Sequence, residues 1–487
     1  MSQPIEVDAC IVGGGVSGLK AFHTLLHHSQ SKFNAENLVL VEAQNRLGGR
    51  IHTDHKSSKL GLSYDLGAAW FHDSLTNVVL KESIEDKSFN VSKDGYYDDK
   101  DIKVYASDLE KPLEINQAKL HRVAEDIEKF IELYFFEELD KEDIALCEIV
   151  EIFKAKYDDR LTEDQKRYCG LMLRYLELWY GITWDKISSK FAIMAHQGRN
   201  LYNKKGYDFV INKLLSKIPS DRVLLDHAVT FIDRNNKGHG KRVLVECANG
   251  QQIFCNYLVV TVPQSILALS PDSSHGITWT PPLPKNVCEA LLKIHFGALG
   301  KVIFEFDAIW WSELEDRFEI LADQVPNNSL LSAPLKGPPE KFTFPTFAIN
   351  YSAMHGSSKA SLALLTQSPL TEYVESHPEK AWSYFKPMLS KLAIDNKHVS
   401  DPINTITSNW TNNPYIRGSY TAVHTGDDPL DLITQLSGEH GCGLSEKNIR
   451  FAGEHTTIDG SGCVHGAYMS GEREALWVLK DTGAISG

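Results

Sequence analysis

Three glycines, Gly13, Gly15 and Gly18, follow an apolar run over residues 5–12 and open a segment with helical character through residue 28. In this G-x-G-x-x-G spacing the first glycine permits a tight turn. The second lets backbone approach a pyrophosphate, and the third lets helix and strand pack closely. Phosphates then meet the unpaired N–H groups and positive dipole end of the helix. A second apolar run, residues 38–41, ends at Glu42, where a carboxylate can accept hydrogen bonds from adenosine ribose hydroxyls. Directly after it comes R-x-G-G-R, with Arg46, Gly48, Gly49 and Arg50; paired glycines bring backbone close, and Arg50 can pair with a phosphate. Far downstream, Lys301 leaves a glycine-containing turn and enters the apolar run 302–306. A lysine at a strand start ordinarily faces solvent; buried, it is costly without a partner.

These residues need a strand–helix–strand unit to hold them, and further apolar runs supply its continuation. Residues 223–232, 242–245 and 257–263 read as strands, as does 449–454, which ends at Glu454 and precedes Gly460, Gly462, Cys463, Val464, His465 and Gly466. A strand, a glutamate and a glycine-rich helix start form a second anion-binding arrangement. Because the pieces lie at both ends and in the middle of 487 residues, the nucleotide-binding domain is expected to be discontinuous. Chain length suits two or three domains. A hydrophobic share of 42% and a charged share of 23% are those of an ordinary globular protein. The formal charge of -14 argues against nucleic acid as partner and suits cationic ligands. Residues 1–10 carry no basic start before a long apolar run, and no hydrophobic tail closes the sequence. The eight cysteines lack any Cys-x-x-Cys pair or zinc-ligand rhythm. The expectation is a cytoplasmic protein with reduced thiols, no metal and no membrane anchor.

The ordered set of Gly13–Gly18, Glu42 and R-x-G-G-R resembles the flavin monoamine oxidase superfamily. So do Gly67-Ala-Ala-Trp70-Phe71-His72 and I-R-F-A-G-E at 449–454. Within it, residues 173–184, 196–200, 295–306, 409–420 and 426–429 are most similar to fungal polyamine (spermine) oxidases. The resemblance spans nearly the whole chain, weakening over about residues 97–153 and 312–342. It implies an α/β fold of amine oxidase type: a Rossmann-like FAD-binding domain from residues 1–95, 206–305 and 409–487, and a mixed α+β substrate domain from 96–205 and 306–408. It implies FAD held by Gly13, Gly15, Gly18, Glu42, Arg46, Gly49, Arg50, Gly67, Trp70, Val229, Glu454, Cys463 and Val464. Ser419 stands where monoamine oxidases place the cysteine that bonds flavin, and serine cannot form that thioether. The FAD is therefore expected to be noncovalent.

By the same resemblance Lys301 holds a water beside the flavin and, once buried, has a lowered pKa suited to proton transfer. His72 is a substrate contact or amine-proton acceptor, although a lone histidine after an apolar run is more often structural. Trp179 and Asn200 line a substrate tunnel, His196 helps order it, and Tyr420 stands as an aromatic guide for the amine. Cys463 replaces the second cage ring of monoamine oxidases. His465 departs from the fungal pattern and is similar to animal polyamine oxidases and histone demethylases. Asp94, Asp98, Asp99 and Asp101 are candidates to collect polycations at the mouth, against the plainer reading of a solvated loop. The implied reaction oxidises spermine, and its N-acetylated form, with molecular oxygen to spermidine, 3-aminopropanal and hydrogen peroxide. A histone-lysine demethylase is disfavoured because no long helical insertion is present. A non-catalytic GDP-dissociation-inhibitor-like scaffold is disfavoured by the retention of residues 46–50 and Lys301.

Overall fold

The computed structural model describes residues 3–138, 140–191, 198–394, 397–437, 444 and 447–485. Its first sheet is five-stranded and parallel, in the order Val223–Leu224, Leu38–Val41, Ala9–Val12, Tyr257–Val260, Ile449–Phe451. All four residues of Ala9–Val12 and of Leu38–Val41 are buried, as expected of parallel strands covered on both faces. Alternate residues then enter different cores. Ala9, Ile11, Leu38 and Leu40 pack with Leu19, Phe22 and Leu25 of the helix Val16–His27 and with Ala475, Val478 and Leu479 of Val464–Asp481. Cys10, Val12, Val39 and Val41 pack on the opposite side against Ile232, Val243, Val245 and Trp279 of a second five-stranded sheet. The layers are helix, parallel sheet, β-sheet. The apolar run predicted as one strand over 5–12 is split between them: Ile5–Glu6 pairs with Ile253 and Phe254, while Ala9–Val12 joins the parallel sheet. Asp8 marks the break, its carboxylate taken by Asn37, Lys241 and Asn256.

A six-stranded sheet forms the other half, ordered Asn404–Thr407, Gly300–Glu305, Ser361–Thr366, Thr346–Asn350, Arg317–Ile320, Lys103–Tyr105. One face, carrying Val302, Phe304, Leu362, Leu364, Ala348 and Phe318, packs on helices that include Leu120–Phe136 and Ala381–Leu389. The other face, carrying Lys301, Ile303, Leu365 and Phe347, turns toward the carboxyl ends of the first sheet's strands. Gly300–Glu305 thus pairs within this sheet. No helix among the described residues is long and apolar enough to cross a membrane. Cys10, Cys147, Cys169, Cys247, Cys255 and Cys288 are free.

Candidate active site

A continuous cavity of about 1960 Å³ runs from the carboxyl ends of the parallel strands to the face of the six-stranded sheet. Its first part is made by the glycine turn. Gly15 caps the helix Val16–His27 with extended backbone and no capping side chain, and the helix has no acidic residue in its first turn. A Cβ on Gly15 would meet nothing, so the open space beside it is left for a ligand rather than for packing. On Gly18 it would strike the Gly13 carbonyl, which is the close helix–strand approach expected of the third glycine. Glu42 is buried, accepting from the Gly14 N–H at 2.6 Å and the Gln44 N–H at 2.9 Å. Burial pushes its pKa up against those bonds. Val229 joins the lining at this end.

The middle of the cavity is tied by one ion pair. Arg50 donates to Glu454 and to the Ser419 carbonyl, both at 2.8 Å. Glu454 also accepts from the Thr421 hydroxyl at 2.6 Å and the Gly462 N–H at 3.1 Å. Burial alone would raise the Glu454 pKa, but Arg50, His455 and Thr421 hold it below the usual carboxylate value. Gly49, Gly67, Trp70, Cys463 and Val464 line the same stretch. Arg46 does not: its guanidinium is spent on the carbonyls of Leu47, Gly49 and Ile51, where it braces the turn.

Lys301 lies deep in the wall, 4% exposed, at the juncture of the two halves. Its Nζ donates to the carbonyls of Asp65 and Gly67, each at 2.7 Å, which leaves one of three ammonium donors for the cavity. Burial lowers its pKa to about 8, with the Asp65 charge opposing the shift. Such a group exchanges a proton near neutrality.

Beyond Lys301 the lining becomes aromatic, with Tyr175, Trp179, Tyr180, Phe347 and Tyr420. The Tyr420 hydroxyl donates to the Trp179 carbonyl and its ring lies against Gly462. His72 Nδ1 and Asn200 Oδ1 are 3.1 Å apart, and both face the cavity. At the mouth stand Asp98 and Asp99, already paired with Arg317 and Arg199; Asp94 and Asp101 are not part of the lining. His465 is also not part of it. That ring is buried against Gly460, 3.3 Å from Asn77 and 3.9 Å from Asp73. Successive helix residues diverge by about 100°, so lining by Cys463 and Val464 does not carry His465 with it. His196 lies outside the described residues. Sequence reasoning missed Asp65, Tyr175 and Phe347, and also Glu128 and Glu132 of Leu120–Phe136; no spacing marks them.

A glycine cradle at a bare helix start, a buried glutamate past the second strand and a second glutamate-to-helix turn fit a dinucleotide, with an apolar chamber at its far end. A family model, flavin containing amine oxidoreductase, matches residues 16–479. The chain belongs to that family. As a flavin amine oxidoreductase it takes a flavin cofactor, and the residues above fit one. It is 53% identical over 483 residues to a corticosteroid-binding protein of Candida albicans, covering 99% of this chain and 97% of the relative. It is 25% identical to polyamine oxidase 5 of Oryza sativa subsp. japonica, covering 95% of this chain and 85% of the relative. With the human peroxisomal N(1)-acetyl-spermine/spermidine oxidase it shares 25% identity, covering 96% and 93% of the two chains. A putrescine oxidase structure with putrescine bound superposes with a TM-score of 0.70 at 15% identity, covering 98% of this amine oxidoreductase and all of that chain.

Proposed function

We propose that the protein is an FAD-dependent polyamine oxidase that converts spermine, and N-acetylated spermine, with oxygen and water to spermidine, 3-aminopropanal (or its N-acetyl form) and hydrogen peroxide. The observation that carries this reading is Lys301. A buried lysine with a pKa near 8 sits where the dinucleotide cradle opens into a long aromatic chamber with an acidic mouth. Bound there, FAD would accept the hydride from the carbon beside the amine nitrogen and return the electrons to oxygen. The chain's own groups do the rest. Tyr175, Trp179, Tyr180, Phe347 and Tyr420 exclude water and confine a thin, flexible amine. His72 and Asn200 orient it, and the imidazole can take the proton that must leave before the nitrogen is neutral. Lys301 Nζ holds and moves a proton at the juncture.

Spermine is expected to bleach the bound flavin anaerobically at least roughly tenfold faster than benzylamine at equal concentration, a difference of about 1.4 kcal/mol. Equal or faster bleaching by benzylamine overturns the polyamine assignment. Because Ser419 offers no thiol and spends its Oγ on the Leu299 N–H, acid denaturation should release all of the flavin, as FAD, into solution. Flavin that sediments with the protein would contradict noncovalent attachment.

A second reading is favoured by the Candida albicans relative: the same apolar chamber takes a corticosteroid. Corticosterone would then compete with spermine for the oxidised enzyme and would not bleach it. Uncompetitive or absent inhibition rejects a shared site.

A further inference from the structure

On the inward face of the six-stranded sheet, four residues stand in one cross-strand row. Lys301 pairs with Leu365, Leu365 with Phe347, and Phe347 with Glu319. Residues directly opposite in a sheet point to the same face, and the first three line the cavity. Glu319 continues the row between Phe347 and Val104, one position behind the lining residue Phe347 and not itself part of the lining. It lies about 14 Å from Lys301 across three strand intervals.

Glu319 is 6% exposed, and its Oε1 has no hydrogen-bond partner among the described residues. Other buried carboxylates in this half of the protein are handled differently. Glu305 accepts from Ser58, the Lys59 N–H, Tyr64 and Asn404. Glu375 is bonded to Ser408, Trp410 and Thr411. Leaving a carboxyl in the interior without a partner is costly and unusual, and it stabilises nothing. Glu319 also acts on the phenol of Tyr175, a lining residue, as does Glu128 from the helix opposite. Glu132, its neighbour, is neutralised by Lys129, whereas no ion pair to Glu128 occurs among the described residues. Burial pushes the Glu319 pKa up to about 8.

We infer that Glu319, with Glu128 across Tyr175, receives the distal ammonium of the polyamine whose oxidised end lies at Lys301, and so sets preference by substrate length. This rests on the polyamine reading above and assigns Glu319 as a specificity-determining residue rather than a catalytic one. A monoamine does not reach it. A polyamine spans the row, threading past Phe347, and its ammonium supplies the partner the carboxyl lacks.

The test uses holoenzyme reduced with dithionite, to which spermine binds without turnover. Calorimetry should show the spermine Kd of Glu319→Gln raised roughly 10- to 100-fold over wild type, the value of a charge-assisted hydrogen bond. In turnover, kcat for spermine and all parameters for butylamine should stay within about threefold of wild type. Glu319→Leu should melt at a higher temperature than wild type while showing the same loss of spermine affinity, because it replaces an unpartnered carboxyl with an apolar group. An unchanged spermine Kd in Glu319→Gln, or an equal loss for butylamine, overturns the inference. Failure of the polyamine reading itself shows separately, as wild-type enzyme that prefers butylamine to spermine.

Discussion

Replacing Lys301 by methionine is expected to leave a yellow, folded protein whose flavin reduction or reoxidation is slowed by roughly 10²- to 10³-fold. The flavin should remain because Lys301 bonds the Asp65 and Gly67 carbonyls and takes no part in the cradle of Gly15, Glu42, Arg50 and Glu454. The rate should fall because the substitution removes the one donor left over for the cavity and the group poised to exchange a proton. The pH profile carries a sharper signature. Burial depresses the lysine pKa to about 8, so the neutral amine, the form able to accept a proton, grows in as pH rises through that value. A wild-type limb that climbs near pH 8 should be missing from Lys301→Met. Stopped-flow reduction and reoxidation between pH 6 and 10 would measure it; a variant with the wild-type rate, or with the limb intact, removes the lysine from proton transfer.

How far this site could be read from sequence depends on whether its parts are local. The glycine turn, Glu42, residues 46–50 and the 449–467 segment are each short and contiguous, so their motifs and the family resemblance marked them, and the cavity lining includes Gly13, Gly15, Glu42, Gly49, Arg50, Glu454, Cys463 and Val464. Arg46 shows the limit. Its type and neighbourhood suit a phosphate, yet three carbonyls within five residues satisfy the guanidinium first. His465 shows another, since adjacency in sequence to the lining residue Val464 becomes a different orientation on the helix Val464–Asp481. The substrate chamber was harder still. Phe347 and Glu319 fall in one row with Lys301 only through antiparallel pairing of strands far apart in the chain. The apolar pattern of such buried strands does not disclose register. Gly300–Glu305 is a further case: it is buried throughout, and its six residues fit either sheet until their partners are known.

The largest structural loss is expected from Arg50→Ala. Arg50 joins its own turn to two segments 369 and 404 residues further along the chain, through the Ser419 carbonyl and the Glu454 carboxylate. Removing it strands a carboxylate that is 2% exposed. Breaking a buried pair in this way typically costs about 3–5 kcal/mol, because the remaining charge keeps its desolvation cost and loses its partner. Flavin affinity should fall by at least roughly 100-fold, giving protein that purifies pale. The sign of the pH dependence should also invert. In wild type Glu454 has a lowered pKa, so its contribution is full above the ordinary carboxylate pKa and is lost only as pH falls through the lowered value. Without Arg50, burial dominates and the pKa rises above the ordinary value. The penalty is then present at neutral pH and relieved as pH falls through that raised value. The melting-temperature deficit of Arg50→Ala against wild type should therefore narrow on acidification from pH 8 to 5, whereas loss of a simple packing contact gives a deficit independent of pH. Glu454→Gln, which keeps the Thr421 and Gly462 donors within reach of an amide oxygen, should show a smaller and pH-independent loss. A constant deficit in Arg50→Ala, with flavin retained, would mean that the ion pair is incidental and that the glycine cradle holds the cofactor without it.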